Sequence, residues 1–198
     1  GDVGCGKTIV AIIACYQALK NNHQCLVLVP TEVLCSQHFK TFTEHLGNYG
    51  MVKMISGKNT KAEKESIKSK LYDGQISVLI GTHALLFNDY KFRSLAIVII
   101  DEQHKFGIKQ REKISSDYQK QPHLIYMSAT PIPRTLALVL YENMNYITIP
   151  DKPSNRDVTK TIVYDDQSRK IIYDSVAKHL QDNICLLYTS DAADEGLG

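Results

Sequence analysis

No apolar run in this chain approaches the roughly 18 residues needed to cross a bilayer as a helix, and no segment has the pattern of a signal peptide. The expected setting is cytoplasmic, with no membrane partner. Charge of one sign is also missing. The 23 Lys and Arg against 21 Asp and Glu leave a formal +2, too little to argue for nucleic acid from charge alone. The five cysteines, at 5, 15, 25, 35 and 185, include no C-x-x-C pair and leave one over, which argues against a zinc or disulfide framework and suits reduced thiols. The seven histidines are scattered. His38 and His45 are too far apart along a helix to chelate one ion together, and they read as ordinary surface or half-buried side chains. There is no internal repeat, and no Asn-Lys-x-Asp guanine motif, which argues against a GTPase.

What is present begins at residue 1. Gly1-Asp2-Val3-Gly4-Cys5-Gly6-Lys7-Thr8 fills G-x-x-x-x-G-K-[ST], the loop that wraps nucleotide phosphates. Its three glycines let the backbone turn N–H groups towards phosphate oxygens. Lys7 would then bridge the β- and γ-phosphates, and the Thr8 hydroxyl would serve Mg²⁺. The apolar stretch from Ile9 to Ala14 puts a buried helix directly behind the loop, with the positive end of its dipole towards the anion. A strand should lead into such a loop. With the motif at residue 1 and no Met before it, that strand and the native N-terminus are expected upstream.

A second site supports the first. Ala96-Ile97-Val98-Ile99-Ile100 is the continuous apolar run of a strand buried on both faces, and it ends in Asp101-Glu102. Carboxylates there stand at the carboxyl edge of a parallel sheet, where open α/β folds bind ligands. Asp101 is expected to hold Mg²⁺ through water, and Glu102 to orient or deprotonate the attacking water.

Strand-like runs at 25–30, 51–55, 77–82, 95–101, 123–128 and 146–149 alternate with helical patterns at 8–21, 32–46, 61–72, 110–117 and 132–141. That alternation predicts an α/β fold with a mostly parallel sheet and right-handed crossovers. With 43% hydrophobic residues, the 198-residue chain suffices for one core of about 150 residues and part of another. Residues 1–149 are expected to form the first domain, 150–158 a linker, and 159–188 the start of a second unit with a helix at 169–180. Residues 189–198 form an acidic, turn-rich tail outside the pattern. The lysine-rich stretch 58–70, interleaved with Glu63 and Glu65, reads as a solvated helix face. Three strand ends carry further polar groups: Pro30-Thr31, Gly81-Thr82-His83 and Ser128-Ala129-Thr130. Hydroxyls at helix starts suit a phosphate backbone, and they equally serve as helix caps.

In order along the chain, the segments Gly-Asp-Val-Gly-Cys-Gly-Lys-Thr, Val-Pro-Thr-Glu, Gly-Thr-His-Ala-Leu, Asp-Glu-Gln-His-Lys-Phe-Gly and Ser-Ala-Thr-Pro-Ile-Pro-Arg-Thr-Leu-Ala resemble motifs I, Ia, Ic, II and III of superfamily 2 helicases. The extended form, with Phe106-Gly107, Gln110-Arg111 and Pro131-Ile132-Pro133-Arg134-Thr135, is similar to the RecG family of bacterial ATP-dependent DNA helicases over residues 1 to about 182. Transcription-repair coupling factors share the phosphate loop and 131–135, but usually differ at Gln103-His104. Cys5 stands where Ser is usual and Lys105 where Arg is usual.

The resemblance implies a first RecA-like P-loop lobe, truncated at its leading strand, and the start of a second. It implies ATP and Mg²⁺ as cofactors, and a monomeric motor that remodels branched or duplex DNA, such as forks and Holliday junctions, in recombination and repair. His104 would join residues 1–8 in binding ATP. Gln103, Ser128, Ala129 and Thr130 would couple the ATP site to DNA, and Pro30, Thr31, Gly81, Thr82 and His83 would contact DNA. Two other readings stay open: a double-stranded DNA translocase of the coupling-factor kind, and a nucleotide- or DNA-binding piece without turnover. By the same resemblance the arginine finger would lie beyond residue 198, so residues 1–198 alone are expected to be inactive. In a complete helicase carrying this lobe, replacing Ser128 and Thr130 together by Ala should spare much of the ATPase while depressing unwinding. Equal loss of both activities alongside a fall in thermal stability would make these hydroxyls structural.

Overall fold

Six consecutive buried residues, Gln24 to Val29, form the middle strand of the molecule. A run apolar on both sides has no solvated face, so it must be covered above and below, and the chain around it supplies both layers. The computed structural model describes residues 1–82, 85, 90–102, 121–129, 145, 147–150, 162 and 169–181. By contact the chain separates into two units, Gly1–Asn155 and Arg156–Gly198. The first contains α1 (Lys7–Lys20), β1 (Gln24–Val29), α2 (Glu32–Leu46), β2 (Met51–Ile55), α3 (Lys61–Tyr72), β3 (Ile76–Thr82), β4 (Leu95–Ile100) and β5 (His123–Tyr126). In the second the described helix is α4 (Arg169–Gln181).

The five strands run parallel in the order β2-β3-β1-β4-β5. Register aligns Leu28 with Gly81 on one side and Ile100 on the other, and Ile100 with Tyr126. All strand ends therefore emerge along one edge. Alternation along β1 sends Cys25, Val27 and Val29 to one face, where α1 and α2 pack with Cys15, Phe42 and Leu46. Leu26 and Leu28 go to the other, against Ile67 and Leu71 of α3 and against Leu85 and Tyr90. The connections through α2 and α3 lie on opposite faces and run in opposite directions, so they share one hand. The chain moves outward from β1 to β2 through α2 on the first face and returns to β3 through α3 on the second.

Local chemistry sets the ends of the helices. Thr31 caps α2, its hydroxyl accepting from the Leu34 N–H at 3.3 Å. Thr60 and Glu63 form a reciprocal capping box at α3, and the Thr60 N–H holds the Glu63 carboxyl below its ordinary pKa. α3 buries only Ile67 and Leu71, so most of the charges of 58–70 line a solvated face. Buried Gln24 spends its amide fully. Nε2 donates to the Leu71 and Ile76 carbonyls at 2.9 and 2.7 Å, and Oε1 accepts from the Ser94 N–H at 3.0 Å. It thereby fastens α3, β3 and the approach to β4 at the amino edge of the sheet.

The cysteines at 5, 15, 25 and 35 are free and buried. Burial, with the Glu32 charge nearby, pushes the Cys35 thiol up to about 11. A hydrogen bond with Cys25, together with burial, raises the Cys15 pKa far above the ordinary thiol range. No described helix is long and apolar enough to cross a membrane.

The expected elements at 110–117, 132–141 and 184–188 lie outside the described residues, as do all residues but Ile162 of the strand expected at 159–164. One expectation is corrected: residues 147–149 form no strand, and Ile147 is 83% exposed. A short alternating run becomes a strand only where it finds an edge to pair with and a core for its apolar side chains. Gly81 is buried, and a Cβ there would stand 2.4 Å from Leu85 Cδ1 and 2.9 Å from Ile55 Cγ2. Gly81→Ala should therefore cost about 1–3 kcal/mol of stability through overpacking. Denaturant unfolding checks this, and an unchanged midpoint would show that the site has spare room.

Candidate nucleotide site

Residues 1–8 form a loop whose backbone needs its glycines. Gly4 has φ 77° and Gly6 φ 96°, both in the left-handed region that costs an L side chain energy. Gly1 has no room for a Cβ, which would stand 2.5 Å from Cys5 Sγ and 3.0 Å from the Ile149 carbonyl oxygen. The loop is further closed by Asp2, whose Oδ1 accepts from the Val3 N–H at 2.6 Å. Lys7 folds back on it, with Nζ donating to the Gly1 and Asp2 carbonyls at 2.7 and 2.9 Å. Asp2 and Val3 are exposed, Cys5 is buried, and Gly1, Gly4, Gly6, Lys7 and Thr8 are half-buried.

The start of α1 differs from those of its neighbours. α2 and α3 each begin with a Thr cap and an acidic residue in the first turn, whereas α1 has Gly6 at its cap, no capping side chain and no acid in its first turn. Neither the cap nor the first turn of this helix thus supplies a side chain to its N-terminal donors and dipole. That is the condition an incoming phosphate requires.

Asp101 follows β4 directly, and its N–H continues the ladder to the Leu28 carbonyl at 2.9 Å. Its carboxylate is buried and accepts on both oxygens: from the Glu102 N–H on Oδ1 at 3.0 Å, and from His38 Nε2 on Oδ2 at 2.9 Å. Glu102 makes the first contact possible by adopting φ 51°, a left-handed conformation for a residue with a full side chain. The end of β5 lies close to the loop, since the Gly1 nitrogen donates to the Ser128 carbonyl at 3.3 Å. The fold therefore puts residues from the expected motifs I and III in contact, and Asp101 emerges from β4, paired beside β5 at the same edge.

Pro30, Thr82, Ser128 and Ala129 are half-buried at strand ends on that edge, and Thr31 is exposed. Gly81 is walled in by Leu85 and Ile55. His83, Gln103, His104 and Thr130 lie outside the described residues.

Among the described residues no three His, Cys, Asp or Glu side chains gather as a metal cluster. A single buried carboxylate, that of Asp101, still suits Mg²⁺, which keeps waters and takes phosphate oxygens in preference to a protein cage.

One partner in this site escaped the sequence reading. His38 is 6% exposed, in contact with Asp101, and not the surface or half-buried residue expected. The legible signal was its spacing. Cys35, His38, Phe42 and Leu46 fall on one helical stripe, all buried. His45 is exposed, as its place off that stripe requires.

Residues 1–139 match the DEAD/DEAH box helicase family. The chain belongs to the DEAD/DEAH box helicase family. Within it, the chain is 42% identical over 183 residues to the ATP-dependent DNA helicase RecG of Aquifex aeolicus (strain VF5), covering 91% of this chain and 23% of that protein. It is 43% identical over 164 residues to RecG of Thermotoga maritima, covering 82% of this chain and 21% of that protein. A solved structure of RecG bound to a three-way DNA junction superposes with a TM-score of 0.79 at 36% identity, over 92% of this chain and 24% of that one. This helicase-family chain thus spans about a quarter of the length of the relatives it matches. The resemblance to RecG read from the motifs holds, and so does the α/β fold of a RecA-like helicase lobe.

The left-handed Glu102 gives a test of strain at the site. Relieving φ 51° with Glu102→Gly should return about 1 kcal/mol, raising the thermal midpoint by roughly 2–4 °C. Loss of several degrees would show instead that the Glu102 side chain is a net stabiliser.

Proposed function

We propose that this chain is the first motor lobe of a RecG-type ATP-dependent DNA helicase, one that remodels branched DNA in recombination and repair. The observation that carries the reading is the contact of the phosphate loop with the end of β5, at the edge where Asp101 and Glu102 emerge from β4. The similarity to RecG over nine-tenths of this chain supports it. That a related protein was solved on a three-way DNA junction supports branched DNA as the partner.

In this reading the loop amides and the open start of α1 bind the nucleotide phosphates. Lys7 leaves the two carbonyls it now holds and neutralises the β- and γ-phosphates. Thr8 and Asp101 would hold Mg²⁺, which supplies charge neutralisation at the transferring phosphoryl group when bound. Glu102 orients the attacking water and accepts its proton. His104 contacts the nucleotide, while Gln103, Ser128, Ala129 and Thr130 carry its state to the DNA side. Pro30, Thr31 and Thr82 stand at strand ends suited to a phosphate backbone, and His83 is assigned to the same DNA contact. Gly81 serves that surface by letting β3 pass close under Leu85. The lobe works as part of a monomeric cytoplasmic enzyme with a second lobe closing over the ATP.

In a complete helicase carrying this lobe, Lys7→Ala should abolish hydrolysis mainly by weakening productive ATP binding. Glu102→Gln should leave binding near normal while stopping turnover. Nucleotide binding and DNA-stimulated phosphate release, measured on both variants, check this. Near-normal DNA-stimulated hydrolysis in either one would overturn the assignment.

A further inference from the structure

His38 is an odd occupant of its position. The other buried side chains of α2, Cys35, Phe42 and Leu46, pack into the core, and the His38 ring lies edge-on to Phe42 with centroids 5.9 Å apart. An apolar side chain would fill the same stripe without a polar cost. The imidazole instead meets Asp101 Oδ2 at 2.9 Å and leaves Nδ1 buried without a hydrogen-bond partner. A carboxylate can only accept, so the proton of this contact sits on Nε2, and Nδ1 is a bare acceptor in the neutral ring. An unpaired buried polar atom is destabilising. Packing alone does not account for the residue, whereas the contact with Asp101 does.

The start of α2 and its second turn meet different chemistry. The helix starts at the Thr31 cap, on the strand-end surface assigned above to DNA, and seven residues later His38 reaches the carboxylate assigned to Mg²⁺. At about 1.5 Å per residue that is roughly 10 Å along a continuous helix, short enough for a rigid shift at one end to be felt at the other.

We propose that His38 is a positioning residue that ties α2 to Asp101, so that DNA held at the start of α2 and Mg²⁺-nucleotide held at Asp101 favour the same placement of this helix. With Oδ1 fixed by the Glu102 N–H and Oδ2 by His38, the carboxylate has one orientation, set jointly by β4 and α2. If α2 moves without Asp101, the 2.9 Å contact breaks and His38 Nε2 and Asp101 Oδ2 lose each other in a buried setting. The coupling is reciprocal by linkage: DNA tightens Mg²⁺-nucleotide binding by the factor with which Mg²⁺-nucleotide tightens DNA. The proposal rests on the helicase reading, and the experiment separates the two.

The test uses a complete helicase carrying this lobe, a fluorescent non-hydrolysable ATP analogue, and a three-way DNA junction. Analogue affinity is measured with Mg²⁺ and with EDTA, with and without junction. His38→Leu keeps the volume and removes the donor, and His38→Gln keeps a donor at similar reach. The wild type should bind the analogue about 5-fold or more tightly when junction is present, but only with Mg²⁺. His38→Leu should lose that DNA-linked gain and bind no tighter with Mg²⁺ than with EDTA, while retaining its EDTA affinity. His38→Gln should restore most of the gain.

A DNA-linked gain of wild-type size in His38→Leu overturns the coupling and leaves the helicase reading intact. So does equal loss of analogue affinity in EDTA and Mg²⁺ by both variants, in step with a fall in thermal midpoint, because that is the signature of a packing defect. A wild type whose analogue binding ignores both Mg²⁺ and DNA overturns the helicase reading along with the coupling.

Discussion

A parallel sheet buried on both faces is the constraint from which the rest follows. Parallel strands cannot be joined by tight turns, so each returns through a crossover on one face or the other. Their carboxyl ends must all point the same way. Here that geometry delivers Val29, Thr82, Asp101 and Met127 to one edge through a register that pairs Leu28 with Gly81 and Ile100. Segments distant in the chain then meet there without any special feature of their own. Gly1 touches Ser128, and His38 touches Asp101.

The edge is also where the chain departs from its own local preferences. Other polar groups among the described residues are settled: Gln24 makes three amide hydrogen bonds at the opposite edge, and Thr31 and Thr60 cap their helices. At the edge, Glu102 takes a left-handed backbone, α1 starts uncapped, Asp101 is a buried carboxylate, and His38 has an unpaired nitrogen. Each is a small destabilisation, held in place by the two apolar layers packed on the sheet. Their concentration at one edge fits a site prepared for phosphate and a cation, with tighter packing behind it.

The two layers differ in what they serve. α1 and α2 cover the face that supplies the phosphate loop and His38, and both reach the carboxyl edge at their N-termini. α3 covers the other face through Ile67 and Leu71 and otherwise presents charge to water.

Much of this was legible in the residues. Periodicity located α2, β2 and α3 at their observed bounds, because alternation and helical spacing are local properties of a chain. The phosphate loop and the Asp-Glu pair were legible for the same reason: each motif packs its chemistry into a few consecutive residues. A short run such as 147–149 carries the same local signal and forms no strand, since pairing needs an edge that only the folded sheet can provide. His38 was misread because the spacing of its stripe states that it faces inward but not what waits there. Sixty-three residues separate it from Asp101, and a contact over that distance exists only once β1 and β4 pair and α2 packs on them. The sequence by itself determined the elements, the α/β class and the groups able to meet a nucleotide. Tertiary structure alone decided which of those groups touch, because the strand order that brings them together is fixed by long-range burial, which no local pattern encodes.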